Sequence, residues 1–139
     1  MSKAIGNTKT IFSDNFNGPL KQSDWDYNQW KNGGSFYGRT QQRQELPETA
    51  NGVLRLKLET YNPTDPKRAT FVGSEAITKQ KFDVGSKDGL AFEVKARFTD
   101  TQKGLVGGVF TYAGTAQKHD EIDFEALSNR PNDVQTNVY

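Results

Sequence analysis

Three carboxylates near the C-terminal end of the sequence are spaced to act together on one surface. The segment His119-Asp-Glu-Ile-Asp-Phe-Glu125 places an acidic residue at every second position, at Glu121, Asp123 and Glu125. Because the side chains of a β-strand alternate between its two faces, a strand here presents all three acids on one face and two apolar residues on the other. Successive carboxylates then lie about 7 Å apart, close enough to repel and to raise at least one pKa.

Three uses of such a strand compete. Two carboxyl groups can cleave a glycosidic bond when one is ionised and attacks, while the other is protonated and donates to the leaving oxygen. The same oxygen atoms could hold a hard cation such as calcium. The third interpretation is a strand face that is simply solvated, as charged faces usually are. The residue types alone leave all three interpretations open.

Composition limits the size of the domain and the class of its partners. With 139 residues, of which 33% are hydrophobic and 12% aromatic, the chain is sized for one domain with a core. The formal net charge is +1, from 18 basic and 17 acidic residues without a basic run, so neither nucleic acid nor a membrane is an expected partner. The absence of cysteine excludes disulfides and thiolate metal sites. A neutral polymer is the more natural partner.

The start of the chain lacks the apolar stretch of a signal peptide, and no window approaches the roughly 18 apolar residues of a membrane span. Two interpretations remain, a cytosolic protein or one whose export signal lies outside this chain. A polymeric substrate favours export, so we expect an extracellular location.

Alternating rather than helical patterns run through the sequence and predict an all-β sandwich. Asn51-Gly52 predicts a tight turn, and 128–133 predicts another. If the acidic strand pairs with 134–139 as a hairpin, Gln135, Asn137 and Tyr139 lie beside the carboxylates and can supply hydrogen bonds. Besides the acidic segment, strands are predicted over 11–16, 53–59, 72–82 (as one strand or a pair), 90–98, 105–112 and 134–139.

The segment Glu121-Ile-Asp-Phe-Glu125, preceded by Asp120, resembles the catalytic signature of glycoside hydrolase family 16. This family includes licheninases, laminarinases and xyloglucan endotransglycosylases. The resemblance implies a concanavalin-like jelly roll with a concave substrate-binding sheet. It assigns the nucleophile to Glu121, the general acid/base to Glu125 and an assisting role to Asp123. It therefore implies an enzyme, namely an endo-acting retaining β-glucan hydrolase such as a β-1,3-1,4-glucanase.

The resemblance extends from about Trp30 to the last residue and implies a set of substrate contacts. Asn32-Gly-Gly-Ser-Phe36 resembles a licheninase loop whose asparagine, together with an aromatic residue two positions earlier, lines the donor side of the cleft. Segments around residues 75, 110 and 137 resemble further cleft strands. The implied substrate-binding residues are Trp30, Asn32, Glu75, Phe110, Tyr112, His119, Gln135, Asn137 and Tyr139.

The subfamily signals are mixed, so two further functions stay open. Ile77 stands where licheninases have arginine, and His119 stands where licheninases have tryptophan. The endotransglycosylases have histidine at the position of His119. Laminarinases usually insert a residue before the second glutamate, and this sequence does not. A xyloglucan endotransglycosylase-type transglycosylase is therefore one alternative. A non-catalytic, lectin-like glucan-binding module is the other, because jelly rolls also host binding proteins, although three crowded acids argue against it.

No metal ligand is assigned from the sequence. His119 is the one histidine in the chain, and a lone histidine makes a poor transition-metal site. The two-carboxylate chemistry requires no cofactor. The family resemblance allows a structural calcium ion on the convex side of the jelly roll, for which no ligands are named.

The resemblance also bears on domain extent and on shape. Domains of this family are usually longer than this chain, so residues 1–139 are expected to be the N-terminal portion of one catalytic domain, with a complementing C-terminal segment as a partner. Along a straight strand the Cα atoms of Glu121 and Glu125 are about 13 Å apart, whereas retention needs carboxyl groups about 5–5.5 Å apart. The two side chains must therefore converge on a curved, concave sheet.

Overall fold

The structure, a computed structural model, describes residues 9–27, 40–42, 47–59, 71–83, 89–99, 102–115 and 117–139. The described residues form nine β-strands and contain no helix. It follows that none of them belongs to a helix long and apolar enough to cross a membrane. The chain divides into two compact units, Met1–Asp83 and Val84–Tyr139, and each is described by itself. The all-β class predicted from the alternating patterns is confirmed.

The described residues of the first unit form six short strands that pair in three two-stranded sheets. β1 pairs with β6 and β3 pairs with β4, both antiparallel, whereas β2 and β5 are parallel. Val72 in β5 is fully buried, and among the described hydrophobic residues it alone is classed as core. The strands are β1 Trp25–Asp26, β2 Thr40–Gln42, β3 Glu48–Ala50, β4 Val53–Arg55, β5 Phe71–Gly73 and β6 Ile77–Thr78.

The β3–β4 hairpin turns at Asn51 and Gly52, as predicted. Their φ angles of 54° and 72° are both positive, which is the requirement of a type I′ turn and the reason for the Asn-Gly preference there. The strand that follows is shorter than the predicted 53–59, because it ends at Arg55. Beyond that point the backbone of Lys57 pairs with a side chain: its N–H donates to Ser74 Oγ at 2.6 Å, and its carbonyl accepts from the same hydroxyl at 2.9 Å.

Aromatic packing replaces the first predicted strand. No strand forms over 11–16; instead, Phe12 meets Trp25 edge to face with ring centroids 5.6 Å apart. The indole Nε1–H of Trp25 donates to Asp14 Oδ2 at 2.8 Å. The other carboxylate oxygen, Oδ1, accepts from the backbone N–H of Phe16 at 2.8 Å and so holds a residue with a positive φ of 54°. Side-chain contacts organise this segment in place of a β-ladder.

The second unit contains one antiparallel sheet with the strand order β7-β8-β9. Its strands are β7 Val106–Thr115, β8 Lys118–Leu127 and β9 Val134–Val138. They correspond to the predicted strand over 105–112, the acidic strand and the predicted strand over 134–139. The predicted turn over 128–133 is also present, with the N–H of Arg130 donating to the Leu127 carbonyl at 2.8 Å. The hairpin expected from the sequence is therefore confirmed.

The segment with the clearest alternation, 90–98, forms no strand among the described residues, so that prediction is wrong. Phe92 and Val94 are exposed. Phe98 is exposed as well, but its ring lies against Gly107 of β7, in the space that a side chain at Gly107 would fill. Alternation makes a segment suitable for a sheet, but a strand forms only where a partner supplies backbone hydrogen bonds.

The face of β8 opposite the carboxylates is apolar but not buried. Ile122 and Phe124, which were expected to point into a core, are 45% and 53% exposed. Val138, which pairs with Ile122 across the sheet, is also exposed. The sequence pattern thus predicted the side of the strand on which each residue lies, but not its burial in this chain.

Candidate active site

The three carboxylates occupy the central strand of the second unit and have a neighbour on each side. Strand alternation places Glu121, Asp123 and Glu125 on one face of β8, and the antiparallel register sets a residue of each flanking segment beside each acid. Backbone hydrogen bonds of 3.0 and 3.3 Å extend this pairing to the last residue. From β7 across β8 toward β9, the rows are Tyr112–Glu121–Tyr139, Phe110–Asp123–Asn137 and Gly108–Glu125–Gln135.

The surroundings of Glu121 shift the pKa of its carboxyl group. Its side chain is 21% exposed, and its Oε2 lies 3.2 Å from Nε2 of His119. Burial raises the pKa of Glu121 above its ordinary value of 4.5, and a side-chain hydrogen bond with Asp123 and the charges of Asp123 and Glu125 raise it further, whereas His119 lowers it. The clustered acids thus contribute to a raised pKa at the first glutamate, as expected, but burial is the larger cause.

Asp123 lies between the two glutamates and is buried, with 7% of its surface exposed. A buried carboxyl group needs hydrogen-bond partners, because its loss of hydration is otherwise uncompensated. The side chain of Glu121 is such a partner. Asp123 is thus built into the sheet and is not a solvated surface acid, which counts against the interpretation of β8 as an ordinary charged face.

Glu125 is held from the neighbouring strand. Its Oε2 accepts a hydrogen bond from Asn137 Nδ2 at 3.1 Å and another from Gln135 Nε2 at 3.2 Å. The two amides also approach each other, with Gln135 Nε2 3.5 Å from Asn137 Oδ1. Both donors therefore converge on one oxygen atom of Glu125, and the β8–β9 register is what brings them there.

Aromatic rings flank the carboxylates on both sides. Tyr112 stacks on the imidazole of His119, with ring centroids 5.0 Å apart and planes 19° apart. Tyr139 lies on the other side of the same imidazole, at 6.0 Å and tilted by 46°. Phe110, Tyr112 and Tyr139 are all exposed. The carboxylates therefore lie on a surface that offers flat apolar rings to a ligand.

The structure brings six of the nine predicted substrate-binding residues to the carboxylates. Trp30 and Asn32 lie outside the described residues. Glu75 belongs to the first unit, between β5 and β6, where it is half-buried and makes interactions of its own. The six residues on the acidic face are Phe110, Tyr112, His119, Gln135, Asn137 and Tyr139.

Two features of the site were not anticipated from the sequence. The first is the contact between His119 and Glu121; the signal for it was their spacing of two residues on one strand, which places both on the same face. The second is Gly114, which pairs with His119 and has a φ of 127°. A Cβ at Gly114 would lie 2.9 Å from the Cα of His119, so the absence of a side chain permits this close approach.

The calcium ion allowed by the family resemblance finds no ligand set in the described part of the chain. Within those residues there is no group of three or more His, Cys, Asp or Glu side chains that could hold a metal ion.

A family model described as glycosyl hydrolases family 16 matches residues 21–139. The chain belongs to glycosyl hydrolases family 16. This membership and the all-strand structure confirm the predicted jelly-roll fold class. The residues of the acidic face, from Phe110 to Tyr139, all lie inside the matched region.

This family 16 chain is similar in sequence to a curated protein, the endo-1,3-1,4-beta-glycanase ExoK of Rhizobium meliloti (strain 1021). It is 34% identical over 112 residues, which are 79% of this chain and 38% of the relative. The chain thus spans well under half the length of that relative. No solved structure gave a significant match.

Proposed function

We propose that this chain carries the catalytic strand of an endo-acting, retaining β-glucan hydrolase, with a β-1,3-1,4-glucan as its substrate. The observation that carries the proposal is the acidic face of β8, on which Glu121, Asp123 and Glu125 share one side of the central strand. Membership of family 16 and a relative named as an endo-1,3-1,4-beta-glycanase support it.

In the first step the ionised carboxylate of Glu121 attacks the anomeric carbon, and the glycosidic C–O bond breaks. Glu125 gives its proton to the departing oxygen, so the aglycone leaves as an alcohol and the sugar stays as an ester on Glu121. Because burial and the neighbouring acids raise the pKa of Glu121, this step loses rate when the pH falls toward that pKa.

In the second step Glu125, now ionised, takes a proton from a water molecule as that water attacks the anomeric carbon. The ester bond to Glu121 breaks, the sugar leaves with its original configuration, and both glutamates return to their starting states. Asp123 assists through its hydrogen bond with the Glu121 side chain, in which the carboxyl group that carries a proton donates to the other. No cofactor is needed, since carboxyl groups supply both the nucleophile and the proton transfers.

The flanking aromatic residues fit a pyranose polymer. Phe110, Tyr112 and Tyr139 present exposed rings on the acidic face, and such rings pack on the apolar faces of flat ligands. The amides of Gln135 and Asn137 can also donate to sugar hydroxyl groups. The family resemblance also implies Trp30, Asn32 and Glu75 as substrate-binding residues, and their role stays a prediction.

The location of the proposed enzyme follows from its polymeric substrate. A glucan too large to enter a cell must be met outside it, so the proposed enzyme acts extracellularly. Because the match covers 38% of the relative's length, we propose that residues 1–139 are part of one catalytic domain.

His119 favours a second candidate, a transglycosylase of the xyloglucan endotransglycosylase type. Those enzymes read His-Asp-Glu-Ile-Asp-Phe-Glu at this strand, as this chain does from His119 to Glu125. The glycosyl ester on Glu121 would be the same, and a sugar hydroxyl group would replace water in the second step.

The test is the Glu121→Gln variant of the full-length protein, assayed on mixed-linkage glucan, laminarin and xyloglucan. We expect reducing ends to form with the wild type on mixed-linkage glucan and turnover to be abolished in the variant, with the fold unchanged by circular dichroism. Transfer of polymer to a labelled oligosaccharide would instead favour the transglycosylase. Glucan binding by the wild type without any bond cleavage would indicate a lectin-like module. Variant activity within tenfold of wild type would exclude Glu121 as the nucleophile.

A further inference from the structure

His119 lies two residues before Glu121 on β8 and touches its carboxylate. The imidazole Nε2 is 3.2 Å from Glu121 Oε2, with the two side chains 25% and 21% exposed. An ionised carboxylate only accepts hydrogen bonds, so Nε2 must carry the proton of this contact. One oxygen of Glu121 is therefore occupied by His119, and the other, Oε1, is not used by this contact.

Packing fixes the plane of the imidazole ring. Tyr112 stacks on it at 5.0 Å with the planes 19° apart, and Tyr139 lies at 6.0 Å. The remaining nitrogen, Nδ1, is buried and has no hydrogen-bond partner among the residues that the structure describes. Within the part of the chain that the structure describes, the ring thus has a single polar anchor, which is Glu121. Its orientation is set by the tyrosines, and its Nε2 is aimed at the carboxylate.

We propose that His119 is a positioning residue for the nucleophile: its Nε2–H holds Oε2 of Glu121 so that Oε1 is presented to the anomeric carbon. This inference rests on the proposed function, because it assigns His119 to the same reaction. It differs from the expectation that His119 contacts the sugar. A hydrogen bond of this kind limits the rotation of the glutamate side chain, and loss of orientation by about 1 Å can cost on the order of a hundredfold in rate.

The charges around the ring determine how the contact depends on pH. Tyr112 faces the ring from β7, Glu121 faces it from β8, and Tyr139 faces it from the segment after β9. Asp123 acts on Glu121 from the next position along the same face of β8. When the imidazole is protonated, it opposes the effects of burial and of Asp123, because a nearby cation favours the ionised carboxylate. His119 thereby both orients Glu121 and keeps it ionised to lower pH.

Two variants of the full-length protein separate the hydrogen bond from the stacked ring. His119→Gln keeps an amide N–H that can reach Glu121 but removes the charge. His119→Phe keeps the stacked ring and removes the donor. The measurement is the pH profile of kcat/KM, together with kcat and KM at the optimum. Glu121→Gln is measured alongside, so that a failure of the proposed function is seen separately.

For a positioning role we expect the acid limb of the profile to move to higher pH in both variants, because loss of the cation raises the pKa of Glu121. His119→Phe should lose ten- to hundredfold in kcat, and His119→Gln should recover part of that loss, while KM changes less than about threefold. A raised KM with an unmoved acid limb would instead make His119 a sugar contact. Unchanged kcat and an unmoved acid limb would overturn the inference while Glu121→Gln stays inactive. An active Glu121→Gln would overturn both.

Discussion

The two glutamates of β8 are held in different ways. Glu121 is held from its own strand, by His119 two residues before it and Asp123 two residues after it. Glu125 is held from the next strand, by the amides of Gln135 and Asn137. The partners of Glu121 are groups that ionise, whereas the partners of Glu125 are neutral at every pH.

The site therefore has two ends. The titrating end is Glu121 with His119 and Asp123, and the neutral end is Glu125 with Gln135 and Asn137. The pKa of Glu121 depends on charged neighbours, because Asp123 and Glu125 raise it and His119 lowers it. The amide donors of Glu125 persist unchanged as the pH changes. The two-step reaction asks different things of the two groups, since one glutamate stays a nucleophile while the other passes its proton out and back. Neutral hydrogen-bond donors suit Glu125, because its carboxyl group must change charge within each turnover.

The largest expected effect comes from removing each carboxyl group in turn. Glu125→Gln should lower the hydrolysis of glucan by about 10²–10⁴-fold, because general acid catalysis is lost. On an aryl glycoside whose phenol leaves without protonation, the same variant should retain the first step and release phenol in a burst. Glu121→Gln should lose activity on both substrates, because no ester can form. Phenol release and reducing-end formation measure the two steps.

A matched control for these variants is Glu93→Gln, which removes an exposed carboxylate to which no chemistry is assigned. It should leave both activities unchanged. Equal losses of Glu125→Gln on glucan and on the aryl glycoside would contradict the assignment of the acid to Glu125.

The next effect tests the neutral end of the site. Asn137→Ala removes the 3.1 Å donor to Glu125 and should lower kcat about ten- to hundredfold, the range expected from a hydrogen bond to a charged group. Gln135→Ala removes a longer, exposed contact and should cost severalfold at most. The comparison of kcat for the two variants checks the order. A larger loss from Gln135→Ala would mean that the Asn137 amide is not the main anchor of Glu125.

The sequence pattern predicted the β7-β8-β9 sheet well, because the pattern and the pairing of these three strands agree. The acidic strand, the strand before it and the hairpin after it all formed where predicted, and the Asn51-Gly52 turn formed because its dipeptide has one favourable geometry. The predicted strands over 11–16 and 90–98 did not form. In those segments the preference for a strand was present, but the contacts were made by side chains such as Phe12 and Phe98 instead.

The site was predictable to the extent that it depends on one strand. The spacing of Glu121, Asp123 and Glu125 fixes their common face whatever the register. The amides of Gln135 and Asn137 could be placed beside the acids once a hairpin was assumed, but their joint contact with Glu125 Oε2 depends on side-chain rotamers, which no spacing specifies. The location of the pKa rise at Glu121 also needed burial to be known.

Gly114, which pairs with His119 across the sheet, offers a test of how closely the two strands approach there. Gly114→Ala should destabilise the protein by about 1–3 kcal/mol, because φ is 127° and a Cβ would meet the backbone of the facing strand. Gly108→Ala is the matched control, since its Cβ would find no atom closer than 3.9 Å. Urea unfolding of both variants provides the measurement. Equal stability of the two would contradict a close approach at Gly114.

The smallest expected effect is a pH dependence of stability that belongs to the titrating end alone. Because the folded-state pKa of Glu121 is raised above 4.5, the unfolded chain ionises first as the pH rises, and the free energy of unfolding falls between that value and the folded-state pKa. The glutamine of Glu121→Gln does not ionise, so the stability of this variant relative to wild type should rise through that interval and stay constant above it. Urea unfolding between pH 4 and pH 7 gives the difference. With His119 also replaced by Gln, the gain from Glu121→Gln should be larger, since the cation that offsets the cost is gone. A wild type that becomes more stable relative to Glu121→Gln as the pH rises would contradict this expectation. In that case the ion pair with His119 outweighs the burial of Glu121, and the ionised glutamate stabilises the fold.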